Sequence, residues 1–266
     1  TASTVILTDP VLSGSNWKPA TNPNPPSVNA ILNFSTATNL AVTWNDSSGQ
    51  NAVLTYTISR ATTAGPGGAQ LYYFSGIKFP PSTSGSIQNL NLAVAIAKNG
   101  SINIASVRFA LRQGTNLFYT VAFVNGLEGT LGLNGLDEPD ITTNGVTQVI
   151  GTTWTAQYPG TQLNFSGGSP IEFGLFFDGA LGSTATTGSR GPILDNFSVE
   201  VAYVPPHLEA VPSGVGILLN WTPADWQLQD SESLQPATWN DVVGAVSPLQ
   251  VSPTNSQRFF RIVSAP

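Results

Sequence analysis

Val53-Leu54-Thr55-Tyr56-Thr57-Ile58-Ser59 changes side-chain character at every step. Side chains along a strand alternate between its two faces, so Leu54, Tyr56 and Ile58 share one face and Val53, Thr55, Thr57 and Ser59 the other. One face is core and the other wet. This is the pattern of a half-buried β-strand, and it sets the reading of the rest of the chain.

Segments of the same kind recur at residues 28–34, 40–44, 52–60, 70–79, 87–97, 102–112, 117–125, 146–156, 171–178 and 193–203, bounded by Gly, Pro, Asn and Ser. Convincing helix signals are missing between them. So many strands without intervening helices predict an all-β fold, two packed antiparallel sheets in a jelly-roll-like β-sandwich. In Leu71-Tyr72-Tyr73-Phe74 adjacent rings fall on opposite faces, which predicts one of Tyr72 and Tyr73 in the core and the other exposed.

The run Lys18-Pro19-Ala20-Thr21-Asn22-Pro23-Asn24-Pro25-Pro26 is short of ladder donors and is expected to be an extended surface loop. Val204-Pro205-Pro206-His207 is the best boundary in the sequence, dividing a sandwich over residues 1–204 from a small β-module over 205–266. The second unit offers strands near 216–221, 226–229, 239–242 and 258–262 and leans on Trp221, Trp226 and Trp239 for burial.

Charged residues make up only 9% of the 266, against roughly 25% in an ordinary soluble domain. Thr, Ser, Asn, Gln and Gly carry the polarity instead, and so neutral a surface does little to keep copies apart. With 9 basic and 15 acidic residues and no Lys/Arg cluster, nucleic acid is excluded as a partner. The lack of Cys removes disulfides, thiolate metal sites and a Cys nucleophile. No apolar run approaches the roughly 18 to 20 residues of a membrane span, since residues 87–97 are broken by Gln88, Asn89 and Asn91. The start Thr1-Ala2-Ser3, without Met, is what signal-peptide removal leaves, and a secreted or cell-surface location is expected.

No catalytic constellation emerges. A Ser-His-Asp arrangement would need His207, the sole His, which sits beside two prolines and reads as a solvated linker residue. A glycosidase would need a carboxylate pair drawn from Glu128, Glu138, Asp140, Glu172 and Asp178, each of which also has an ordinary exposed or structural reading. Sugar recognition asks for flat rings flanked by hydrogen-bonding side chains, and Trp154, Tyr158, Tyr72, Tyr73 and Trp44 are the candidates, with core packing the alternative for each. Asp137 and Asp140, in the acidic run Asp137-Glu138-Pro139-Asp140, could hold Ca²⁺, although the spacing is not that of an EF-hand.

Two resemblances add to this. Leu219-Asn220-Trp221, then Trp226-Gln227-Leu228-Gln229-Asp230-Ser231, a strand at Trp239 and Gln257-Arg258-Phe259-Phe260-Arg261-Ile262 resemble a module that closes many large secreted proteins of planctomycete and verrucomicrobial type, similar to a truncated fibronectin-type-III sandwich. Gly191-Pro192-Ile193-Leu194-Asp195-Asn196-Phe197-Ser198-Val199-Glu200-Val201, preceded by Phe173-Gly174-Leu175-Phe176, resembles the end of jelly-roll, concanavalin-like domains in exported proteins of the PEP-CTERM kind, without their sorting tail. The resemblance to jelly-roll carbohydrate-binding modules implies a structural calcium near Asp195 and Asp9, against the favoured reading of Asp195 as a turn or strand-edge hydrogen-bonding residue. No other cofactor is expected.

Two functions follow. The first is an extracellular structural subunit that binds copies of itself into a filament or surface layer, through β edges or a donated N-terminal strand, Thr4, Val5, Ile6, Leu7 and Thr8. The alternative reading of that strand is the first strand of its own sandwich. The second function is a carbohydrate-binding or adhesive module that takes a polysaccharide.

Overall fold

The computed structural model describes residues 2–9, 17–19, 22–23, 26–27, 37–45, 52–60, 67–98, 106–120, 142–149, 154–156, 162–181, 187–190, 192–214, 216–252 and 257–264. The first unit contains β1 (Ser3–Asp9), β2 (Lys18–Pro19), β3 (Asn22–Pro23), β4 (Pro26–Ser27), β5 (Ala37–Asn45), β6 (Ala52–Arg60) and β7 (Gly67–Phe79). A single turn of helix, α1 (Pro81–Ser84), leads into β8 (Ser86–Lys98), β9 (Ser106–Gln113), β10 (Asn116–Thr120), β11 (Thr142–Val149), β12 (Trp154–Ala156), β13 (Ile171–Leu181), β14 (Thr187–Arg190) and β15 (Pro192–Val204). The C-terminal strands are β16 (His207–Ser213), β17 (Gly216–Thr222), β18 (Gln227–Ser231), β19 (Asn240–Asp241), β20 (Leu249–Val251) and β21 (Phe259–Val263).

The fold is all-β and antiparallel. One sheet runs β11-β8-β15-β6-β14, with β1 added on β15 and β5 on β6; the other runs β12-β10-β9-β13-β7-β2. Their facing sides close on one core, with Leu90, Leu92 and Val94 of β8 and Phe197, Val199 and Val201 of β15 against Val107, Phe109 and Leu111 of β9 and Ile171, Phe173, Leu175 and Phe177 of β13. Each of these runs skips every second residue, as burial of one face of a strand requires. The opening heptapeptide lies in β6, where Ala52 pairs with fully buried Leu194.

A bulge in β15 resets that alternation. Asp195 pairs with Ala95 and Ser198 with Ala93, so two residues of β15 oppose one of β8, and the core side passes from Leu194 to Phe197. A second irregularity separates β7 from β13 between Lys78 and Phe74, where the Ser75 hydroxyl donates to the Phe173 carbonyl at 2.8 Å and accepts from the Ile77 N–H. Beside it Gly174 is obligatory, because a Cβ there would lie 2.0 Å from the Tyr73 carbonyl oxygen.

Several expectations need correction. The Pro-rich run is not simply loop: Lys18 and Pro19 pair with Phe74 and Tyr73, and Asn22–Pro23 pairs with Pro26–Ser27. A proline carbonyl still accepts a ladder bond, and edge positions tolerate the missing N–H. His207 is not a linker residue but opens β16 and pairs with Thr222; this strand is mostly exposed, which hid its alternation. The strand expected at 28–34 lies outside the described residues.

The N-terminal strand is the most consequential correction. β1 pairs with its own β15 without a break from Ser3↔Tyr203 to Asp9↔Phe197, and Val5 and Leu7 pack on the sandwich core. Thr4, Val5, Ile6, Leu7 and Thr8 are therefore committed within the chain, since alternating apolar residues bury more surface against a neighbouring strand than in a free arm.

β16-β17-β20 and β19-β18-β21 form two three-stranded sheets around Leu219, Trp221, Trp226 and Leu228. This unit is fastened to the sandwich by the Trp226 indole, whose Nε1 donates to the Ser166 carbonyl at 3.1 Å. Among the described residues no helix is long and apolar enough to cross a membrane.

Candidate functional site

The outward face of the second sheet is built row by row from its register. Lys78, Glu172, Arg112 and Leu117 stand side by side on β7, β13, β9 and β10; Phe74, Gly174, Ala110 and Tyr119 form the next row; Tyr72, Phe176 and Arg108 the third. An outer sheet face ordinarily carries small polar side chains, whereas this one carries a second apolar cluster of Tyr72, Phe74, Ala110, Leu117 and Phe176, with Tyr119 packed against it. The small Gly174 and Ala110 leave room for the rings to lie over the sheet.

The rings form a continuous floor. Tyr119 stacks on Phe176 with centroids 4.7 Å apart and planes 14° apart, and Phe176 meets Tyr72 at 4.7 Å and 50°. Tyr72 in turn lies nearly parallel to Phe74 at 6.3 Å. Two guanidinium groups rest on this floor, Arg112 over Phe74 at 4.8 Å and Arg108 over Tyr119 at 5.4 Å, a placement favoured by the negative face of each ring.

The charges are arranged around one carboxylate. Glu172, with only 8% of its side chain exposed, accepts from Arg112 through Nε at 3.0 Å and through Nη2, and Lys78 Nζ stands 3.9 Å away. Taking a carboxylate out of water is costly unless it is paired, and this pairing offsets that cost while fixing the Arg112 head group. Tyr119, Arg108 and Arg112 are part-exposed, and Lys78 keeps 55% of its side chain in contact with solvent. The face thus offers water part of one aromatic ring and three cations, two of them anchored by the buried Glu172 carboxylate.

No family model matches the chain, and no curated protein matches it. Among solved structures that match is a carbohydrate-binding module studied for its specific recognition of mannan, at 11% identity and a TM-score of 0.30, covering 75% of this chain and 98% of that one.

Of the expected sugar-binding rings, Tyr72 and Tyr73 are described with their side chains. Tyr72 and Tyr73 do point to opposite faces, but both are buried, at 3% and 4% exposure, Tyr73 in the inter-sheet core and Tyr72 in the floor described above. Neither offers an open ring. Trp154 pairs with Thr120 of β10, and Trp44 pairs with Leu54 of β6. Tyr158 lies outside the described residues, as do Asp137 and Asp140.

Asp9 stands opposite Phe197 on the core side and accepts from Trp17 Nε1 at 2.9 Å, and Asp195 pairs with Ala95 of β8. Among the described residues no three His, Cys, Asp or Glu side chains gather as a metal centre would need.

The sequence reading passed over Arg108, Arg112, Lys78, Phe176 and Tyr119. The signal was present in Val107-Arg108-Phe109-Ala110-Leu111-Arg112, where strict alternation puts two of only nine basic residues on one strand face.

Proposed function

We propose that the protein is a non-catalytic polysaccharide-binding module that works outside the cell. The observation that carries this reading is the floor of stacked rings on the outer sheet face with Tyr119, Arg108 and Arg112 held at its surface. A pyranose ring presents C–H groups to an aromatic side chain and hydroxyls to guanidinium groups, and part-exposed Tyr119, Arg108 and Arg112 stand within three adjacent rows of this sheet. The β register and the buried floor hold these side chains in place before a ligand arrives, which lowers the ordering cost of binding. Glu172 is engaged by Arg112 and Lys78, which suits an anchoring role better than proton transfer.

Affinity electrophoresis through gels containing soluble polysaccharides tests this. Retardation by at least one polymer is expected, and Tyr119→Ala should weaken it about tenfold, the equivalent of ~1.4 kcal/mol, with the fold intact by circular dichroism. Free migration of the wild-type protein in every polymer would remove the reading. Self-association is a second reading, supported by Ile6, which lies at the centre of β1 and is 67% exposed.

A further inference from the structure

We infer that the polymer recognised by the outer sheet face is anionic, a glycan bearing carboxylate or sulfate groups; this rests on the polysaccharide-binding reading of the same face. The chain carries nine Lys and Arg among 266 residues and a net charge of −6. Three of the nine stand at outward positions of this one sheet, Lys78, Arg108 and Arg112, by the rows above. Among the described side chains of this face Glu172 is the one acid against three cations, a net positive patch on a chain whose net charge is −6.

Scattered basic residues would serve solubility as well as clustered ones, and a neutral glycan needs hydrogen-bond donors rather than charge. Arg112 is fixed over Phe74 by Glu172 and Arg108 lies over Tyr119, so these cationic groups are positioned before an anion arrives. Guanidinium groups also match planar carboxylate and tetrahedral sulfate better than they match isolated hydroxyls, because their parallel N–H groups bind two oxygens at once. The negative remainder of the surface repels a polyanion, which confines binding to this face and makes it sensitive to salt.

The test pairs each charged polymer with its neutral counterpart: polygalacturonate with its methyl ester, and dextran sulfate with dextran. Titration calorimetry at 0.05 M NaCl should show at least one charged polymer bound about tenfold or more tightly than its partner, with the preference lost at 0.5 M NaCl. Arg108→Gln should weaken that binding about tenfold and Lys78→Gln about threefold, amounts typical of single ionic contacts at a partly exposed site. Lys98→Gln, which removes the same charge from β8 of the other sheet, should leave it unchanged. Equal, salt-insensitive binding of charged and neutral partners would overturn the anionic inference and leave the polysaccharide reading standing. Binding of no polymer, charged or neutral, would overturn both.

Discussion

Tyr72 and Tyr73 show how far a single residue can be read from sequence. Strand parity assigned them correctly to opposite faces, yet parity gives a direction and not what covers it, so the burial of Tyr72 in a second apolar layer was out of reach. The same limit applied to Glu172, recognisable as a rare acid but not as the anchor of Arg112. For Tyr73 burial has a measurable consequence, since desolvation pushes its phenol up to about 12 from 10.0. The folded state then holds its proton where the unfolded chain has released it. The resulting stability is fully present below pH 10 and is lost as pH rises through the folded value near 12. Urea denaturation at a series of pH values should show this alkaline decline, and Tyr73→Phe should shallow it between pH 10 and 12. An identical slope in the variant would mean that this phenol is not the group responsible.

At the scale of elements, legibility followed exposure. The strand β6 coincides with the expected 52–60, and β8, β13 and β15 differ from expectation by a few residues at their ends, because a strand with one buried face imprints a period of two on its sequence. β16, with exposed positions and an internal Pro212, carries no such imprint. The strand β1 was ambiguous for a different reason: Val5 and Leu7 require an apolar partner surface, but alternation is the same whether that surface belongs to this chain or another. The pairing with β15 resolves it. A strand held in this way predicts a single monomeric boundary in sedimentation velocity, and Leu7→Ala should cost about 1–2 kcal/mol, less than a fully buried leucine. Oligomers that survive Leu7→Ala but disappear in Ile6→Ser would instead favour association through the exposed side of β1.

For the whole molecule, Pro205-Pro206 stand between the end of β15 and the start of β16, but the hydrogen bonds that tie the later strands to the sandwich were not legible. They depend on Gln113, an ordinary residue at the end of β9 whose amide accepts from the Asn164 N–H and donates to the carbonyls of Asn164, Gly167 and Ser169. That one side chain shapes the segment 164–169, and the Ser166 carbonyl it presents takes the Trp226 indole N–H. No local pattern encodes contacts so distant along the chain. Gln113 directly follows Arg112, so the fastening of the C-terminal unit and the cationic row of the sheet face share the end of one strand. Trp226→Phe keeps a ring in the C-terminal core while removing the indole donor. Loss of this bond should lower stability by about 1 kcal/mol and leave the Ser166 carbonyl without its indole partner. Small-angle scattering should then show a broader pair-distance distribution than in the wild type, while polysaccharide affinity, which resides on the sheet face, stays within about twofold. An unchanged scattering profile would show that the hinge is held by the chain at Val204 to His207 alone, and a large loss of affinity would move part of the binding surface onto the C-terminal unit.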